Sequence, residues 1–416
     1  LDIIKNHFLK PFMNKQKGNV GVELEFPLIN MEKKPVSLTV AQNLLDSFLE
    51  KGFKAEETTI DGKNAFISND AGDVLSFDNS YNNFEFSMNY GPSLCDIAER
   101  FCRYFTHANS FALKHNHILT GMGTNPYKKY TLQHHVNFPV YNMVDEYLHT
   151  FPAKHNFPDF PAYLSSVQTH LDLPLGELPF AATVFARLDF IRAMLFSNSP
   201  SWDRGDKTLC YRDYLWEASA FPDTNTGKVD EEYKTTGDII SSFKKRKMFN
   251  CIRNGKYKVF APVALPEYFN GDNDEDIKYF LSFRNIEITA RGTLEVRSDC
   301  AQPVSDAFAP SAFSLGILYN LNEANDLLSG LFAGRSVREL RNTVIYGGEL
   351  PVNNNILSEF VEIARRGLVL RQKGEEKLLE PLFERAEKKL CPAKSTLLRL
   401  NKGENIENII KDYSQA

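Results

Sequence analysis

Glu23 and Glu25 in VELEF, Glu85 in NFEFS and Glu295 in TLEVRS each stand between apolar neighbours, and Asp78 lies shortly ahead of Glu85. Side chains alternate along a strand, so Val22, Leu24 and Phe26 would face one way and Glu23 and Glu25 the other. Taken singly, each acid is an ordinary solvent-facing residue of a strand. Taken together, they suggest acids repeated on one sheet face, and inward-facing carboxylates are too costly to leave unpaired. Divalent cations resolve that cost, and a set of hard oxygen ligands selects magnesium or manganese.

Two arginines accompany the acids. Arg297 follows Glu295 by two residues and would share its face, while Arg212 sits in TLCYRDYLW with Lys207 nearby. The planar guanidinium fork suits phosphate and carboxylate groups, although a plain Glu295–Arg297 salt bridge fits the spacing equally well. In SVQTHLDL, residues Gln168, His170 and Asp172 would line one face opposite Val167, Leu171 and Leu173. That pattern describes either a lined cleft or a solvated edge strand. His134-His135 and His115-x-His117 lack partners at zinc spacing, and GMGTNPY lacks the last glycine of a dinucleotide loop. No P-loop and no G-x-S-x-G elbow occurs.

The elements that must carry these residues follow from periodicity. Strands are expected at 20–29, 65–68, 74–77, 83–88, 166–173, 257–264 and 285–296. Helices are expected at 39–51, from Pro92 to about His115, and at 177–197. Residues 126–163, rich in proline and aromatics, read as irregular structure with short helices. Further helices are expected at 308–332, 335–343, 354–373 and 375–390. Strands before residue 300 and helices after it predict an α+β fold with an antiparallel or mixed sheet. The chain reads as one catalytic unit over 1–416, with a mixed core over 1–300 and a mainly helical part over 301–416.

A hydrophobic fraction of 43% supports a sizeable core, and a net charge of −5 argues against a broad basic surface for nucleic acid. Six cysteines without a C-x-x-C pair fit reduced thiols in a cytoplasmic protein. No run approaches the roughly 18 apolar residues of a membrane span, and the opening LDIIKNHFLKPFMNKQKG lacks a signal-peptide core. Small-molecule partners are therefore expected, with neither nucleic acid nor membrane.

Read in order, VGVELEFPL, LSFDNSYNNFEFSMNYGPSLCDIAERF, LTGMGTNPY, SSVQTHLDL, the block LFSNSPSWDRGDKTLCYRDYLWEASAFPDTNTG, GTLEVRSDCAQP and ARRGLVLRQKGEEKLLEPLFERAEKKL resemble the glutamate–cysteine ligase family. The likeness is greatest to its plant and proteobacterial-type branch. It implies a glutamine synthetase-like catalytic domain, with a curved, mainly antiparallel sheet flanked by helices. It further implies ATP as co-substrate and Mg2+ (or Mn2+) held by Glu23, Glu25, Glu85 and Glu295. Asp78 ranks behind these, because the family's Glu-Pro-Gly-Gly-Gln segment is here DNSYNNFE, longer by a residue. Arg212 and Arg297 would be catalytic, contacting the amino-acid carboxylate or the transferring phosphate, and Gln168 and His170 would line the substrate and nucleotide cleft.

The implied reaction is γ-glutamylcysteine synthesis from L-glutamate and L-cysteine through an acyl phosphate, a step of glutathione biosynthesis. The stretch SAFPDTNTG replaces the acid that often follows the tryptophan block, which opens a second reading with another amine acceptor. A non-catalytic nucleotide- or metabolite-binding relative is a third reading. A glycosidase using two paired acids is a fourth, and it leaves the number of acids and the arginines unexplained.

Overall fold

The computed structural model describes residues 2–129, 131–201, 207–271, 273–332, 334–350 and 355–415. Residues 202–206 of the tryptophan block, and residue 354 at the start of one expected helix, lie outside the described residues.

The alternating VGVELEFPLIN segment forms strand β1 (Val20–Asn30). In chain order the others are β2 (Lys54–Thr58), β3 (Asn64–Ser68), β4 (Val74–Phe77), β5 (Asn83–Gly91), β6 (His117–Leu119) and β7 (Ser166–Leu171). They continue as β8 (Thr226–Gly227), β9 (Lys247–Arg253), β10 (Lys256–Ala264), β11 (Phe283–Arg284), β12 (Ile286–Ile288) and β13 (Leu294–Cys300). The main sheet runs β12-β13-β7-β1-β5-β4-β3-β2, with β6 on the far end of β1, and its pairings are antiparallel.

One face of this sheet is apolar. Leu24 and Phe26 of β1, Phe84 and Phe86 of β5, Val167 of β7 and Leu294 of β13 are all fully buried there. Helix Leu94–Lys114, capped by the Ser93 hydroxyl accepting from the Asp96 N–H, lays Ile97, Phe101, Phe105 and Ala108 against them at three- and four-residue spacing. The Phe101 ring stacks on Phe26 with centroids 5.6 Å apart. Helix Ala309–Tyr319 is buried almost all round, as a helix apolar on every side must be. Its Ser311 Oγ meets Thr169 Oγ1 of β7 at 2.8 Å. On its other side it crosses helix Ile356–Arg371 with backbones in contact. A β-carbon on Gly316 would run into the Ala364 carbonyl, and one on Gly367 into the Gly316 carbonyl.

Over the opposite face stands a small lobe with its own apolar cluster. Val144 and Tyr147 of helix Pro139–Thr150, Leu215 of helix Tyr211–Glu217, Phe221 and Phe249 of β9 pack together, with Tyr147 stacked on Phe221 at 5.1 Å. The space between lobe and sheet is the cleft.

Several boundaries differ from the periodicity. The strand expected over 285–296 is a hairpin, because the Thr289 N–H donates to the Thr293 carbonyl at 3.0 Å and Gly292 takes φ +77°. The helix expected over 177–197 is two helices, Leu178–Arg187 and Asp189–Phe196. Pro92 lies ahead of the helix it was expected to open, since Ser93 is the cap. Strands β2 and β9 and the helices Tyr211–Glu217 and Thr236–Lys245 carried no recognised periodicity. Among the described residues, no helix is long and apolar enough to cross a membrane.

Candidate active site

Register decides which acids meet. On β1, Glu25 stands opposite Glu85 of β5, and Glu23 stands opposite Gln168 of β7. His170 of β7 lies opposite Glu295 of β13. All point to the face away from the helices, because the residues between them are buried beneath the sheet.

Two groups result rather than one. Glu25, Asp78 and Glu85 bring carboxylate oxygens within 4.8 Å of one another, and Glu23, His170 and Glu295 do likewise with a ring nitrogen. Asp78, which the sequence ranked last, belongs to the inner group. That outcome depends on the turn after β4, where the Asp78 N–H donates to the Asn83 carbonyl at 3.0 Å.

The outer group is already charge-balanced. His170 Nε2 lies 3.1 Å from Glu23 Oε1 and 3.6 Å from Glu295 Oε1. Arg297 Nη1 donates to Glu295 Oε1 at 2.5 Å, and Arg291 Nη1 to Glu23 Oε1 at 3.3 Å. Burial would raise the Glu23 carboxyl, but the charge and hydrogen bond of His170, with Arg291 and Arg297, outweigh it and hold it at about 2. Burial likewise works against the His170 imidazolium, and the Glu295 and Glu23 charges prevail, raising its pKa.

The inner group is short of positive charge. Burial raises the Glu25 carboxyl despite Arg212 and the bonds from Ser166, whose N–H donates to Glu25 Oε2 at 2.8 Å. Burial and then the Glu25 charge push Asp78 up to about 7. Burial, followed by Glu23, Asp78 and Glu25, drives Glu85 well above the usual carboxylate range. Glu25 is buried and Asp78 and Glu85 are half-buried, and the Glu25 charge raises both neighbours; three such carboxylates form a donor set suited to a hard divalent cation, so the residues present fit magnesium.

Two connected cavities overlie these groups and share Glu23, Glu85 and Tyr141. The inner one, about 220 Å3, is lined by Glu25, Asp78, Gln168, Arg212, Trp216 and Arg297 among others. The outer one, about 650 Å3, is lined by Lys15, Ser87, Tyr90, His170, Asp172 and Arg291 among others. Another cavity of about 320 Å3, beside Met194 and Lys394, shares none of these residues.

Glu23, Glu25, Asp78, Glu85, Arg212, Arg297, Gln168 and His170 therefore line the cleft, while Glu295 lies buried behind it, against His170 and Arg297. Gln168 Nε2 donates to Glu25 Oε1 at 2.8 Å. Asp172 lies at the outer end, paired with Lys15 at 2.8 Å. Lys207 is exposed and lines neither cavity. Arg212 is carried by a helix that a buried ion network holds. Arg341, 1% exposed, donates from Nε to Asp213 Oδ2 at 2.6 Å and reaches Asp189 Oδ1 at 3.1 Å.

Sequence reasoning missed Tyr141, Trp216 and Arg291. Tyr141 and Trp216 lie in segments of weak periodicity, and Arg291 sits in the hairpin turn. Its only signal was a place four residues before Glu295.

No protein-family model matches the sequence, and no curated protein matches it. Solved structures do match. Glutamate–cysteine ligase from Francisella tularensis, in complex with AMP, superposes with a TM-score of 0.57 at 11% identity, covering 96% of this chain and 88% of that one. A bifunctional glutathione synthetase from Pasteurella multocida gives 0.51 at 12% identity, covering 96% of this chain and 51% of that one. This chain thus spans about half the length of the bifunctional protein. At such identities the likeness establishes the fold, and it is the fold that the sequence resemblance implied.

Proposed function

We propose that this chain is an ATP- and magnesium-dependent carboxylate–amine ligase that forms an amide through an acyl phosphate, with L-glutamate as donor. The observation that carries the proposal is the inner carboxylate group, short of positive charge, beside an outer group already paired with His170 and two arginines. A glycosidase needs two acids and no such arrangement.

A carboxylate is a poor acyl donor. Its oxygen would attack the γ-phosphorus of ATP, releasing ADP, and an amine would then attack the acyl carbon and expel phosphate. Arg297, fixed by Glu295, is placed to stabilise charge on the transferring phosphoryl group. Arg212 is placed to hold a substrate carboxylate. Glu25, Asp78 and Glu85, with Glu23 and Glu295 alongside, would hold magnesium, which when bound supplies neutralisation and alignment of the polyphosphate. The acceptor implied by the resemblance is L-cysteine; the apolar wall of the inner cavity favours a second reading with another amine.

ADP release with ATP, L-glutamate and a panel of amines tests the reaction. It should require magnesium, and Glu25→Gln or Glu295→Gln should lower kcat by about 100-fold or more with the fold intact. Near-normal turnover in both variants would exclude the assignment.

A further inference from the structure

Three polar atoms of residues lining the inner cavity are buried and have no partner among the described residues: Gln168 Oε1, Arg212 Nε and Trp216 Nε1. Buried polar groups are nearly always paired, so this concentration points to a missing ligand. Their chemistry specifies it. Arg212 Nε and Trp216 Nε1 can only donate, which asks for carboxylate oxygens. Gln168 spends its amide nitrogen on Glu25, so its oxygen is the free atom and asks for a donor. An α-amino acid zwitterion supplies both halves, with its ammonium on the Gln168 and Glu25 side, next to the carboxylates.

The rest of the wall is apolar. Val140, Val144, Leu164, Leu281 and Phe283 line the cavity, and the Trp216 indole stacks on Phe283 with centroids 4.8 Å apart. These side chains belong to the lobe's own cluster, so packing holds the wall in shape without a ligand. The cavity holds about 220 Å3, and an apolar cavity of roughly 150 Å3 is enough for a benzene ring.

We propose that the inner cavity is the acceptor site and that its acceptor is an α-amino acid with an apolar side chain, of leucine to phenylalanine size. The role as acceptor rests on the ligase reading above; the identity of the bound molecule rests on the cavity alone. In the step, the acceptor nitrogen forms a C–N bond to the acyl carbon as the C–O bond to phosphate breaks. Phosphate leaves with the electron pair, and the ammonium's two surplus protons pass to phosphate and solvent. A short polar side chain leaves this wall without contacts, and one missing methylene in such a pocket already costs roughly 10–200-fold in discrimination.

The test measures ADP release from the full chain with magnesium, ATP and L-glutamate, using L-leucine, L-phenylalanine and L-cysteine as acceptors. Calorimetric titration of the same amino acids without nucleotide runs in parallel. The expected result is a kcat/KM for leucine or phenylalanine at least tenfold above that for cysteine. Leu281→Glu, and separately Val140→Asn, should raise the acceptor KM at least tenfold, with the KM for ATP reporting an intact fold. Turnover with cysteine equal to or better than with the apolar amino acids overturns the inference and leaves the ligase standing. Absence of ADP release with every acceptor overturns the ligase reading. The calorimetry then decides the site: binding of leucine or phenylalanine in preference to cysteine supports it, and no such preference overturns it.

Discussion

Asp78 and Glu25 show how the inner group behaves without a cation. The Asp78 carboxyl is raised from 3.8 to about 7, chiefly by burial and by Glu25. A folded pKa above the unfolded one means that the native state binds the extra proton, so stability falls as pH rises between those values. The metal-free protein should therefore lose melting temperature between about pH 4 and pH 7, and Asp78→Asn should flatten that slope. Magnesium should restore stability at pH 7 in the native chain. Thermal unfolding across this range, with and without the ion, checks both statements. A slope unchanged by the substitution would contradict them. Glu23 has the opposite sign. Held at about 2, it contributes stability above its ordinary pKa that is lost as pH falls through about 2.

The elements explain which parts of the site could be read in advance. Strand β1 was legible because apolar and acidic residues alternate from Val22 to Phe26, and its two glutamates share a face by geometry alone. Division of the acids into two groups was not legible, because it follows from inter-strand register, which nothing within a single segment encodes. Tyr141 sits on a helix within a proline-rich stretch that reads as irregular, and Arg291 sits in a turn, where no periodicity marks a direction. The helix bearing Arg212 is held from behind by Arg341, which lies far along the chain in helix Val337–Ile345. Arg341→Met would leave Asp213 and Asp189 without this buried partner. Breaking such a pair typically costs about 3–5 kcal/mol. Denaturant unfolding should show a loss of that size, together with a raised KM for the substrate held by Arg212. A variant as stable as the native chain would show that the network does not position the helix.

The small lobe, the sheet and the helices meet as successive layers, with the cleft between the first two. Composition and element order announced an α+β chain, yet the layer order required long-range contacts such as Thr169 with Ser311. Within the helical layer, helices Ala309–Tyr319 and Ile356–Arg371 cross at Gly316 and Gly367 with their backbones in contact. Gly367→Ala should lower stability by about 1–3 kcal/mol or prevent folding, as overpacking does. Soluble, fully stable protein would argue against so close a crossing.

The central claim is that a donor carboxylate becomes an acyl phosphate over this acid-lined sheet. Its most direct test uses L-glutamate labelled with 18O in the γ-carboxylate, incubated with the enzyme, magnesium, ATP and the accepting amine. Mass analysis then reads the released inorganic phosphate. Transfer of one 18O atom from glutamate to each phosphate, in step with ADP formation, is the predicted result. Phosphate free of label while ADP accumulates would contradict the acyl-phosphate mechanism.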